Sequence, residues 1–196
     1  MEGLLYNKKN MPLASPLLKN NSNHPKLQKI LKHPLYYIFL LRLNDGRIAL
    51  YERVNTFTLY PYENRTLIKI CNPKDNYNCD IIITLNEPIS NSNICQFDNG
   101  SIVICLNSDI NIYSISNNYA QCVHQIKNAH TEKISNVTAL TWKRFATTSD
   151  DHNIYIWSSM TYELICTMTD SKLSDITSMM QLKEKEVLVQ MIILDV

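Results

Sequence analysis

The chain has 196 residues, a mass of 22.7 kDa and a formal net charge of +1, with 45% hydrophobic and 19% charged residues. A chain of this size buries roughly 70% of its unfolded surface, so its core need not depend on disulfides or a metal. The balanced charge lacks the basic footprint of a nucleic-acid binder, and the longest early apolar run, PLYYIFLL, falls far short of the ~20 residues of a membrane helix.

The amino terminus lacks the charged start, apolar core and small-residue cleavage site of a secretory signal in that order. An intracellular, cytoplasmic protein is therefore expected, with the nucleus left open. In such a compartment the six cysteines, at 71, 79, 95, 105, 122 and 166, are expected to be reduced. None forms a C-x-x-C pair, and the seven residues between Cys71 and Cys79 fit no common zinc spacing, so no metal or other cofactor is expected.

Residues 1–32 hold six lysines against one glutamate, and KNNSNHPK within them has linker composition. They read either as a flexible basic arm or as the remnant of a preceding repeat, with KLQKILKH as its outer strand. From there on the chain repeats. LNDGRIALYERVNTFTLY from Leu43, FDNGSIVICLNSDINIY from Phe97 and LTWKRFATTSDDHNIYIW from Leu140 share one pattern, and LKEKEVLVQMIILDV from Leu182 matches its first half. The starts lie 54, 43 and 42 residues apart. Each segment begins on an apolar residue, passes through a polar turn and enters an apolar strand. The first three turn again and close on Tyr60, Tyr113 or Trp157.

The longer first interval is assigned to extra sequence, PYENRTLIKICNPKDNY, after Tyr60. Another apolar stretch precedes each segment and one more follows each closing aromatic, so a unit contains four short strands. Asp45-Gly46 and Asn99-Gly100 are turn signals that let the chain reverse with φ > 0. Third strands such as INIY and IYIW are apolar on both faces, and stacked sheets would cover both.

The fold class predicted is all-β, with propeller-like four-stranded antiparallel blades over 33–85, 86–127 and 128–169 and part of a fourth over 170–196. Four strands on a period near 42 resemble the WD-repeat β-propeller family. In that family a histidine, a serine or threonine, an aspartate and a tryptophan form one buried hydrogen-bond network within a blade. The resemblance places His130, Ser149, Asp151 and Trp157 in those positions, although Ala129 stands for the usual glycine and Ser158 for the usual aspartate. The first unit offers His33 but has Glu52 and Val54 at the serine and aspartate positions, and the second has no matching histidine.

The same residues could be read as a serine hydrolase built on Ser149 and His130. That chemistry needs an exposed nucleophile and an oxyanion loop. Ser149 instead lies in a strand pattern without a G-x-S-x-G elbow, in a chain with three glycines. The network is therefore expected to be a structural brace and the protein to be no enzyme. What the resemblance implies is a scaffold or adaptor that binds other proteins on its rims, where Asp150, Glu132 and Lys133 are the candidate contacts. Attachment of anionic lipid or nucleic acid to the basic arm is the charge-driven alternative.

About three and a half units are fewer than a closed ring uses. The chain is thus expected to be a fragment of a larger propeller, a half-propeller that dimerises, or an open stack. Self-association would use the edge near Val187–Leu194.

Overall fold

The computed structural model describes residues 37–55, 64–87, 89, 93–169, 176–183 and 186–191. Fourteen strands make four antiparallel sheets. The first contains β1 (Tyr37–Arg42), β2 (Ile48–Asn55), β3 (Asn64–Asn72) and β4 (Asn78–Leu85). The second contains β5 (Ile94–Gln96), β6 (Ile102–Leu106), β7 (Asp109–Ile115) and β8 (Ala120–Ile126). β9 (Ile134–Leu140), β10 (Arg144–Ser149), β11 (Asn153–Ser158) and β12 (Leu164–Thr169) form the third. β13 (Ile176–Lys183) and β14 (Glu186–Met191) pair as a two-stranded sheet. Each four-stranded sheet is a meander whose spatial order is its sequence order.

The strand sequences explain the stacking. In β6, IVICL, four consecutive residues are buried, so both faces of the strand are covered. Ile102 and Ile104 pack into a core with Ile68, Ile70 and Ile83 of the first blade. Val103 and Cys105, on the opposite face, join Phe145 and Trp157 of the third. A further cluster of Ala146, Ile154 and Met179 ties the third blade to β13, where the Thr138 hydroxyl also donates to the Met179 carbonyl at 2.9 Å. Outer strands have less to cover them. β4 alternates buried and exposed residues, and all six residues of β12 are exposed.

The two glycine turns form as their sequences require. Leu43 and Phe97 donate to Arg47 and Ser101, and Gly46 and Gly100 both adopt φ of 87°, which a side chain would resist.

One strand falls elsewhere than expected. The third strand of the first blade is β3, Asn64–Asn72, which lies within the stretch assigned to extra sequence after Tyr60. The fully paired register of β2 with β3, from Ile48↔Cys71 to Asn55↔Asn64, carries β2 farther than its counterparts and sets the start of β3 at Asn64. In every blade the pairing of third and fourth strands shifts at one place: between Ile70 and Cys71, Ile112 and Tyr113, or Ile156 and Trp157. The closing position of the first blade is therefore Cys71 rather than Tyr60.

Cys71 lies opposite Cys79, and the two are joined in a disulfide with Cα atoms 3.9 Å apart. The expectation of six reduced cysteines is corrected on this point. Strand pairing brings together two thiols whose spacing in sequence had no meaning as a metal site. Residues 1–32, His33, Tyr60 and the segment 192–196, with the final part of the edge near Val187–Leu194, lie outside the described residues.

Candidate interaction rim and its internal brace

The turn between β8 and β9 and the turn between β10 and β11 meet at one end of the third blade. Beneath them runs a chain of hydrogen bonds whose direction can be worked out from its ends. The Trp157 indole N–H can only donate, and it donates to Thr147 Oγ1 at 2.9 Å. Thr147 Oγ1 lies 2.8 Å from His130 Nε2, and His130 Nδ1 lies 2.9 Å from Asp151 Oδ2. An ionised carboxylate only accepts, so Nδ1 carries the proton. Nε2 then accepts from the threonine hydroxyl. The imidazole is neutral, and each polar group in the line is satisfied.

The hydroxyl at the centre of this network belongs to Thr147, not Ser149. Strand register decides it. Phe145 pairs with Trp157 and Thr147 with Tyr155, so the indole reaches its diagonal neighbour Thr147. Ser149 sits one strand repeat farther toward the turn, beyond a shift in the register with β9. Its Oγ accepts from the Asp151 N–H at 3.2 Å.

Aromatic packing holds the imidazole in place, with Tyr155 stacked on it at a centroid distance of 4.1 Å. The His130 and Asp151 side chains are 0% and 4% exposed. Burial pushes the His130 pKa below its ordinary value, against the opposing pull of Asp151. For Asp151, burial pushes the carboxyl up. The His130 hydrogen bond and the Thr131 and Asn153 N–H groups outweigh it, and the net direction is down. Buried histidine, engaged at both nitrogens and away from Ser149, is a poor general base for a hydrolase. The arrangement can brace; it presents no activated nucleophile.

Above the brace the three rim candidates come together. The Asp150 N–H donates to the Lys133 carbonyl at 3.0 Å, and Asp150, Glu132 and Lys133 are all exposed. The burial of Asp151 and the exposure of Asp150 separate two adjacent aspartates into an internal and an external one. Elsewhere, His124 and Cys122 occupy alternate positions on exposed β8, and His124 stacks on Tyr162 at 4.6 Å. Among the described residues no three His, Cys, Asp or Glu side chains group as metal ligands would.

Four-stranded meanders stacked face to face, with this brace in one of them, define a WD40-like β-propeller fold. The solved structure of the WD40 repeats of RRP9 is similar, with a TM-score of 0.50 and 13% sequence identity over 71% of this chain. This chain spans 40% of that one. No family model matches the sequence, and no curated protein matches it.

Proposed function

We propose that the protein is a non-catalytic interaction scaffold or adaptor that engages other proteins through the rim of its blades. The observation that carries this reading is the pairing of an internally satisfied brace with an exposed polar rim. His130, Thr147, Asp151 and Trp157 spend their polar groups on one another, which leaves Asp150, Glu132 and Lys133 to face solvent. Rigid strands beneath exposed turns are how a propeller presents a binding surface. The fold supports such a role by analogy, and the partner is another protein of the same compartment, proposed as the cytoplasm.

The test is to recover partners by cross-linking with the intact chain and to measure their affinities for the double variant Asp150→Ala, Lys133→Ala. Loss of affinity for at least one partner is expected. Unaltered affinity for all of them would refute the rim. Labelling of Ser149 in folded protein by a fluorophosphonate probe would instead restore the hydrolase reading, and no labelling is expected.

A further inference from the structure

The opposite end of the blades treats its two seams differently. Between the first and second blades the seam is closed by polar bridges. Asn44 takes its N–H to Gln96 Oε1 at 2.7 Å and its side-chain amide to the Phe97 carbonyl at 3.1 Å. Arg47 reaches across to the Ser116 carbonyl at 2.8 Å. Between the second and third blades the corresponding positions cannot do this. Asp98 stands for Asn44, and its side-chain carboxylate has no donor to replace the Asn44 amide. Ala139 replaces Gln96, and Ser101 is too short to act as Arg47 does. This seam holds a cleft of about 110 Å³ lined by Phe97, Asp98, Leu140, Lys143, Arg144 and Met160, of which Phe97 is buried and Met160 exposed.

A second observation falls at the same place. Trp142 and Lys143 form the tip of the β9–β10 turn with φ of 60° and 58°, the left-handed region that costs a side-chain-bearing residue roughly 1–2 kcal/mol. At the position of Lys143 the counterpart turns have Gly46 and Gly100, and at that of Trp142 they have Asp45 and Asn99, neither of them left-handed. Tyr77, which shares this backbone state, is repaid by burial, but Trp142 is 53% exposed and Met160 beside the cleft is 58% exposed. The Arg144 guanidinium lies 5.8 Å from the Trp142 ring centroid, and among the described residues no carboxylate pairs with it or with Lys143. The Lys143 carbonyl offsets part of this cost by accepting from the Ser159 N–H at 2.8 Å, but the Trp142 and Met160 side chains stay turned to solvent beside the cleft, which points to use outside the fold.

We propose that this cleft binds an extended acidic segment of a partner protein. One aliphatic side chain enters between Phe97 and Leu140, beside Trp142 and Met160. A neighbouring carboxylate meets Lys143 and Arg144, and a backbone N–H of the segment donates to Asp98. The volume is below the ~150 Å³ of a cavity that takes benzene, which suits one aliphatic side chain. A single carboxylate beside a neutral backbone N–H can meet Lys143 and Arg144 while keeping clear of Asp98, whereas the regularly spaced phosphates of a nucleic-acid strand would face Asp98 with like charge. The inference rests on the interaction-scaffold reading but uses the rim opposite Asp150 and Lys133.

The test is selection of a displayed random peptide library on the full chain, with counter-selection on Trp142→Gly. Glycine relieves the left-handed strain, so this variant should melt at the same temperature or higher while binding selected peptides about tenfold more weakly. Selected peptides should share an aliphatic residue next to Asp or Glu. They should lose binding with Lys143→Asn plus Arg144→Gln, and when the peptide's own aliphatic residue is changed to alanine.

Peptides that bind wild type and Trp142→Gly equally, or no enrichment at all, would overturn the proposal. So would displacement by a single-stranded oligonucleotide of equal charge. Peptides that bind but respond only to the Asp150→Ala, Lys133→Ala variant would leave the scaffold reading standing and remove this cleft from it.

Discussion

Thr147 and Ser149 share a face of β10, while Thr148 between them turns away to Ser135 at 3.0 Å. Their substitutions should therefore differ in kind. Thr147→Val keeps the shape but leaves an indole N–H and an imidazole nitrogen buried without partners, and should cost about 2–3 kcal/mol in denaturant unfolding. Ser149→Ala removes only the acceptor of the Asp151 N–H, a single long bond at 3.2 Å, and should cost about 1 kcal/mol. Acid should act through the same residues. The folded-state pKa of His130 lies below its ordinary 6.5, so the unfolded chain binds more protons in that interval. The brace's contribution is complete above pH 6.5 and is lost as pH falls through the folded value. Asp151, lowered from 3.8, contributes fully above that pH and adds a second loss below it. Melting temperature should be level above about pH 7 and decline below about 6.5, with a shallower decline in His130→Gln. Three of the four brace residues were legible in sequence because the spacing of His130 and Asp151 from Trp157 matches the pattern of the family that the chain resembles. The fourth was not, because FATTSD offers three hydroxyls and only the strand register chooses among them.

At the level of strands, one misplacement accounts for another. Placing the third strand of the first blade at Thr56–Tyr60 leaves NRTLIKICN as an insertion, and Cys71 then has no strand to share with Cys79. With β3 at Asn64–Asn72, a turn begun by Asn72, whose Oδ1 accepts from the Lys74 N–H, folds β4 back onto it and sets the two cysteines opposite each other. The glycine turns and the two-sided apolar character of INIY in β7 were readable, since turn chemistry and burial on both faces leave direct marks on residue type. The separation in sequence between β2 and β3 has no such signature, so the position of β3 could not be read from the repeat. The Cys71–Cys79 disulfide, across a sequence separation of 8, should stabilise the fold by about 2–3 kcal/mol through the unfolded chain. Adding reductant, or the double variant Cys71→Ala, Cys79→Ala, should lower the unfolding free energy by that amount. Cys95 and Cys105 should play no part, since burial pushes Cys95 to about 12 and Cys105 well above its ordinary value, leaving little thiolate.

The molecule as a whole has three four-stranded sheets and a two-stranded one among its described residues. Closed propellers generally use four to eight blades. β14 pairs only with β13 in that region, so one side of its backbone offers a row of N–H and C=O groups to a further strand. Light scattering coupled to size exclusion should find twice 22.7 kDa, with a cooperative melt, if two such chains close one ring, and soluble aggregate if the edge is left unpaired. A monomer with a cooperative melt would mean that the chain covers this edge itself. The repeat architecture could be read from the sequence because a period of about four strands survives even where single residues do not. The number of blades in a working ring could not, because it depends on what meets the outer edges.

The shift in register before Cys71, Tyr113 and Trp157 recurs in all three blades, yet the side chain that follows it is a half-cystine, a phenol and an indole. What the blades inherit at that point is a kink in the backbone, and the chemistry that fills it is interchangeable. Two chains 13% identical can therefore share a fold. Likeness at this level is written in hydrogen-bond registers and not in the alphabet of side chains.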